Sequence, residues 1–173
     1  MLWKSHNLIT FTGVLTATMN PLSALSAMAG ATIPDAIELY FDGWIKHRTI
    51  THWWPMYLVP LAIIEAVLYI NQGFWYGVRD IQAAVNYLDS VGFIIELSLN
   101  ILFWFFIGCL CHIVEDMTTG YIPILTPKDE HTWKILFYPG SPKEFFFDCF
   151  FVIACLGYRA KDIWELWQRL LSL

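Results

Sequence analysis

The sequence predicts an all-α, polytopic integral membrane protein, a helical bundle of about four spans that begins with a helical hairpin. Three observations carry this expectation. Hydrophobic residues make up 57% of the chain and charged residues 14%, whereas soluble domains average ~25% charged. The mean hydropathy is +0.52, and the 13 Phe, 9 Trp and 8 Tyr supply the aromatic load that membrane interfaces favour. Apolar runs alternate with short polar segments, as spans alternate with loops.

At 173 residues the chain fits one domain. It divides into a hairpin (1–33), a polar segment (34–52), a helical bundle (53–158) and an amphipathic tail (159–173). A net charge of −5 without a clustered basic face argues against direct nucleic-acid binding. Cys109, Cys111, Cys149 and Cys155 sit inside apolar runs, where thiols act as small hydrophobes. Their spacing fits no zinc ribbon, so neither disulfides nor thiolate ligands are expected. Lys4 and an apolar run open the chain, but His6 and the lack of a small-residue cleavage site argue against a cleavable leader.

Leu8 to Thr32 is apolar and rich in small residues, broken by Asn20-Pro21, a strong turn signal. It reads as one kinked span or as a hairpin of two helices of about a dozen residues each. The hairpin returns Asp35 to the side of His6; a full span would part them by ~30 Å. Trp53-Trp54-Pro55 opens a second apolar run to about Ile70, and residues 71–90 read as a loop or interfacial helix on the opposite face. Val91 to Val114 is the clearest span, with Glu96 and Asn100 at i and i+4, expected to face the bundle interior. Phe145 to Tyr158 is a short fourth run, and Trp164, Leu166, Trp167, Leu170 and Leu171 alternate with charges as in an interfacial helix.

The chemistry concentrates in His112 to Pro127, HIVEDMTTGYIPILTP. His112 and Asp116 fall on one helical face, about 6 Å apart at Cβ, at a spacing suited to binding one metal ion. Under the hairpin topology the same membrane face receives Asp35, His6 and the run His47-Arg48-Thr49-Ile50-Thr51-His52. Asp35, His52, His112 and Asp116 are candidate ligands of one ion; His6, sharing Asp116, is a candidate for a second, and His47 is a ligand or its support. Mixed imidazole and carboxylate donors suit Zn²⁺, with Mn²⁺ an alternative. Arg48 is a candidate phosphate clamp, Glu38 a candidate base, and Thr51 and Thr119 candidate hydrogen-bond supports. Read singly, these residues have duller roles: Asp35 as a helix cap after Pro34, Arg48 as a topogenic charge, His131 as a solvated side chain.

The pattern resembles a family of bacterial membrane-bound, metal-dependent hydrolases described as LexA-binding and inner-membrane-associated. That family carries Gly-His near its start, Pro-Asp-x-Asp-His, His-Arg-Gly-x-Thr-His-Ser and His-x-x-x-Asp-x-x-Thr followed by prolines. Here Ser5-His6, Pro34-Asp35, His47-Arg48-Thr49-Ile50-Thr51-His52 and His112 to Asp116, with Thr119, Pro123 and Pro127, match in order. The matches span residues 5–127. Ile37 and Glu38 replace the second acid and the histidine of the second motif, Thr49 its glycine in the third, and Trp53 the final serine. The family is distantly similar to zinc-dependent phospholipase C and single-strand nucleases, which implies phosphoester hydrolysis.

The resulting expectation is a membrane hydrolase acting on a phosphoester, a phospholipid among the substrates considered, through a metal-activated water. The alternative is a non-catalytic membrane protein whose degenerate site fixes helix packing and whose tail or 117–144 segment docks a protein partner. The site face would carry Lys4, Lys46, Arg48, Lys128, Lys134 and Lys143, against Arg79, Arg159, Lys161 and Arg169 opposite. The positive-inside bias then leans towards a cytoplasmic site, and the resemblance implies a multi-pass protein of a bacterial inner membrane.

Overall fold

A computed structural model of the chain describes residues 1–41, 44, 48–70, 91–128 and 137–171. Its helices are α1 (Trp3–Thr18), α2 (Pro21–Tyr40), a 3-10 turn (Ile50–His52), α3 (Pro55–Ile70), α4 (Val91–Asp116), α5 (Pro142–Tyr158) and α6 (Ala160–Leu171). No β-strand is present among the described residues. His47, His131 and the 71–90 segment lie outside them.

The N-terminal run folds as the hairpin. Met19 closes α1 in the left-handed region at φ 54°, and the Asn20 side chain accepts from the backbone N–H groups of Leu22 and Ser23 to cap α2, with Pro21 in its first turn. Each choice suits its position, since asparagine is a strong N-cap and proline costs nothing where no intrahelical N–H is needed. The helices run to 16 and 20 residues, longer than the dozen expected, because α1 already begins at Trp3 and α2 continues through Pro34. Asp35 is therefore interior to a helix and caps nothing.

Pro34 has no N–H to give the carbonyl four residues earlier, that of Gly30. The Cys109 thiol of α4 donates to it instead, at 3.2 Å. Freed carbonyls in apolar surroundings need such a neighbour. The approach is close because the α2–α4 crossing is lined by small residues. A Cβ on Gly30 would overlap the Phe105 carbonyl and one on Gly108 the Ala27 carbonyl; Ala24, Ala27 and Ala31 are wholly buried, and Ser26 Oγ donates to the Ile101 carbonyl. Small residues at a crossing let two helix backbones approach this closely. Pairing Ser26 with Ile101 and Gly30 with Cys109 makes the two helices parallel, so the register carries Asp35 to His112.

The other helices extend this pair. Leu61, Ile64 and Leu68 of α3 pack on Phe103, and Tyr57 on Cys109 and Ile113, so α3 runs antiparallel to α4. Ile9 of α1 meets Phe147 and Phe151 of α5, while Arg159 at the far end of α5 donates to the carbonyls of Thr16 and Ala17. Helices α1, α3 and α5 thus begin, and α2 and α4 end, at one end of the bundle.

One helix, Ile94–Asp116 with 23 residues, is long and apolar enough to cross a membrane, while the apolar Pro55–Tyr69 is shorter. Asn100 is buried as expected, but Glu96 is exposed. It lies short of Leu99, where packing on Leu68 and Phe103 begins, so sharing a face with Asn100 does not bury it.

Gly108→Ala should lower stability by about 1–3 kcal/mol through the clash with Ala27, read as a fall in the melting temperature of detergent-solubilised protein. Gly157→Ala, in open space on α5, should leave it unchanged. Equal melting of both variants would show that the crossing is not tight.

Candidate metal centre

The parallel α2–α4 pair brings the C-terminal turns of both helices together, and the 3-10 turn before α3 closes over them. Asp35 from α2, His52 from the turn, and His112 and Asp116 from α4 converge with one potential ligand atom each, all within 4.8 Å of one another. His52 Nε2 lies 3.2 Å from His112 Nε2, 3.5 Å from Asp35 Oδ1 and 3.3 Å from Asp116 Oδ2. His112 Nε2 lies 3.4 Å from Asp35 Oδ1 and 3.8 Å from Asp116 Oδ2.

These separations have a physical meaning. Nitrogen and oxygen ligands sit ~2.0–2.2 Å from Zn²⁺, and a regular tetrahedron's edge is about 1.63 times its centre-to-vertex distance, giving edges of ~3.3–3.6 Å. Five of the six edges, at 3.2–3.8 Å, bracket that range, and the sixth, between Asp35 and Asp116, is within 4.8 Å. Two imidazole Nε2 atoms facing each other cannot both present lone pairs at 3.2 Å without a proton or cation between them. The residues therefore fit a divalent ion.

Behind the ligands stands a layer of orienting contacts. His52 Nδ1 lies 2.9 Å from Glu38 Oε1, an oxygen that also accepts from the Arg48 backbone N–H at 2.8 Å and from the Thr51 hydroxyl. With Nδ1 carrying the proton to Glu38, Nε2 offers its lone pair to the site, the carboxylate–histidine arrangement of metal centres. His112 Nδ1 is buried without a hydrogen-bond partner among the described residues; its ring stacks on His6, centroids 4.0 Å apart.

Asp116 faces two ways. While Oδ2 meets the four-residue cluster, Oδ1 lies 3.2 Å from His6 Nε2, out of line for a hydrogen bond, and 2.7 Å from the Met1 amine. His6 Nδ1 in turn meets Glu115 Oε2 at 2.6 Å, and Thr10 donates to the other Glu115 oxygen. His6 therefore has the same carboxylate backing as His52. Arg48 Nη2 reaches Asp116 Oδ2 at 2.8 Å, and its guanidinium fills the space where a Cβ on Gly120 would stand.

The charge balance calls for a cation. Burial works against a charged His52, but the carboxylates of Asp116, Asp35 and Glu38 outweigh it and push its pKa up to about 10. His6, His52 and His112 have no exposed surface, whereas the Asp35 and Arg48 side chains are 16% and 17% exposed. Asp35 and Arg48 are the most exposed members of the cluster.

Of the residues singled out from the sequence, His6, Asp35, Glu38, Arg48, Thr51, His52, His112, Asp116 and Thr119 all gather at this end; His47 lies outside the described residues. Glu115 escaped the sequence reading. So did Glu144, fully buried on α5, whose carboxylate accepts from the Leu2 backbone at 2.7 Å and ties α5 to the start of α1. The signal for Glu115 was present: a second acid beside Asp116 in an apolar helix, one turn from His112.

A family model described as the YdjM inner membrane protein matches the chain over residues 1–173. No curated protein and no solved structure matches it.

A divalent ion held by these residues would have to displace the extra proton of His52, so the apparent affinity for added Zn²⁺ should rise about tenfold per pH unit between neutrality and the His52 pKa, measurable by chelator competition. In metal-free protein the sign reverses. A histidine raised from 6.5 to about 10 adds stability that is complete below pH 6.5 and lost as pH climbs through about 10. Glu38→Gln keeps the shape but weakens the hold on Nδ1, and should cost ~10–100-fold in metal affinity; unchanged affinity would remove Glu38 from the site.

Proposed function

The chain belongs to the YdjM inner membrane protein family, and from that premise we propose that it is a membrane-bound, metal-dependent hydrolase of phosphoesters. The observation that carries the reading is the spacing of Asp35, His52, His112 and Asp116, close to the edges of a tetrahedron around one ion. These four would hold the first ion, Zn²⁺ ahead of Mn²⁺; His6 and the second oxygen of Asp116 would contribute to a second. Bound there, a divalent ion supplies Lewis acidity, polarising a phosphoryl oxygen and making water a nucleophile at neutral pH.

The chain's own groups do the rest. Glu38 and Glu115 each hold the Nδ1 of a histidine and so aim Nε2; Glu38 was read from the sequence as a base, and its hydrogen bond to His52 favours this orienting role. Arg48 stands at the least buried side with its guanidinium on Asp116 Oδ2. An incoming phosphate would offer that fork a bidentate acceptor and so be held beside the four candidate ligands. Helices α1 to α5 would form the multi-pass bundle in the inner membrane, with the site towards the cytoplasm.

The decisive experiment is elemental analysis of detergent-purified protein, followed by a phosphomonoester and phosphodiester hydrolysis screen. Wild type should carry about one or two equivalents of transition metal, lost in His112→Ala and Asp116→Ala together with activity. Arg48→Lys should keep the metal but lose about tenfold or more in kcat/KM. A wild type that takes up neither Zn²⁺ nor Mn²⁺ would sink the proposal. Metal without turnover would favour a regulatory membrane protein that uses the cluster to fix its helices.

A further inference from the structure

The end of the bundle that holds the Asp35, His52, His112 and Asp116 cluster also carries a ring of exposed aromatic side chains, each from a different place in the chain. Trp3 opens α1, Tyr40 closes α2, Trp44 lies in the segment before the 3-10 turn, Trp54 precedes α3, Tyr121 follows α4 and Tyr138 precedes α5. Trp44 is 90% exposed, Tyr40 83% and Tyr138 72%. Large apolar side chains this open to water are costly, and six of them at one end of a bundle mark a surface that something covers.

What covers it follows from the rest of the exterior. Below the ring, Val59, Ile63, Ile101 and Phe150 are also exposed on α3, α4 and α5, so the apolar surface runs on down the bundle beside the spanning helix. At the opposite end, Tyr69 closes α3 and Tyr158 closes α5, 78% and 76% exposed. A mainly apolar band, interrupted on α3 by the exposed Glu65, between two ends rich in Trp and Tyr is how protein meets bilayer, with Trp and Tyr at headgroup level. The least buried side of the site, at Asp35 and Arg48, lies at the level of the ring: Asp35 is about one turn before Tyr40, and Arg48 falls between Trp44 and Trp54 in the sequence.

We propose that the aromatic ring seats in the lipid headgroup region, and that the substrate is a membrane amphiphile whose anionic phosphate headgroup reaches Arg48 from the bilayer. The inference rests on the phosphoesterase reading and adds the substrate's source. The ring holds this side of the site level with the phosphates, and Arg48 supplies the positive fork that a phosphate monoester entering sideways would meet first. Acyl chains stay in lipid throughout, so the site needs no apolar pocket of its own.

Two measurements on full-length protein in phosphatidylethanolamine–phosphatidylglycerol vesicles test this. The first is Trp44 depth, read as the difference in quenching between wild type and Trp44→Phe. Lipids brominated beside the headgroup should quench Trp44 and aqueous acrylamide should not; the reverse would overturn the proposal and leave the ring to a protein partner. The second compares Zn²⁺-loaded protein on vesicle phosphatidate and on water-soluble glycerol phosphate. Phosphatidate should be favoured by about tenfold or more in kcat/KM, and Tyr40→Asp with Trp44→Asp should erase the preference with metal content unchanged. Equal rates on both esters would overturn the lipid source and leave the phosphoesterase reading intact, whereas hydrolysis of neither by metal-loaded protein would overturn both.

Discussion

The glycine-lined contact of α2 with α4 is the constraint on which the site depends. Asp35 and His112 are far apart in sequence and meet because Gly30 and Gly108 allow two backbones to touch. The contact also removes the penalty of Pro34. A proline mid-helix strands a carbonyl, and in an apolar surround a stranded carbonyl costs several kcal/mol; the Cys109 thiol is placed one residue after Gly108 to meet it. Helix packing and the geometry of the polar cluster are therefore one problem with one solution, and Asp35 sits one residue beyond the proline because that is where α2 comes level with His112.

Charge is the second constraint, and it acts in the opposite direction. Asp35, Glu38, Glu115 and Asp116 crowd around three buried imidazoles at the end of an apolar helix, with Arg48 and the Met1 amine on Asp116. Buried acids persist only when paired. The pairs here are good but incomplete, since among the described residues His112 Nδ1 and His6 Nε2 have no hydrogen-bond partner and the surrounding carboxylates push the His52 pKa up to about 10. A set of donors that needs extra protons to hold together is one that a divalent cation would satisfy better.

The helical class, the hairpin at Asn20-Pro21, the start of α3 after Trp54 and the polar face gathering His6, Asp35, His52, His112 and Asp116 could all be read from the sequence, because each rests on local periodicity or a turn residue. The continuation of α2 past Pro34 could not. It depends on a thiol from another helix, which no local rule sees. Glu38 was legible as an acid near the site but not as the partner of His52 Nδ1, because that contact is set by the turn at Ile50–His52. Glu96 shows the limit of the i, i+4 argument: a shared face is buried only where a neighbouring helix reaches it.

Arg48 shows how the two sequence blocks become one site. Its backbone is left-handed at φ 53°, a conformation that costs a non-glycine residue of order 1–3 kcal/mol. Three contacts hold it there: its N–H on Glu38, its guanidinium on Asp116, and the missing side chain of Gly120 that gives the guanidinium room. The first contact belongs to α2 and the others to the end of α4 and the turn beyond it. Strain held from several sides marks a residue whose position matters more than its comfort. If Arg48 relaxed to an ordinary backbone it would leave Glu38, and Glu38 would then have less reason to hold His52 Nε2 towards the other three ligands. Clamp and ligand are coupled through a single carboxylate.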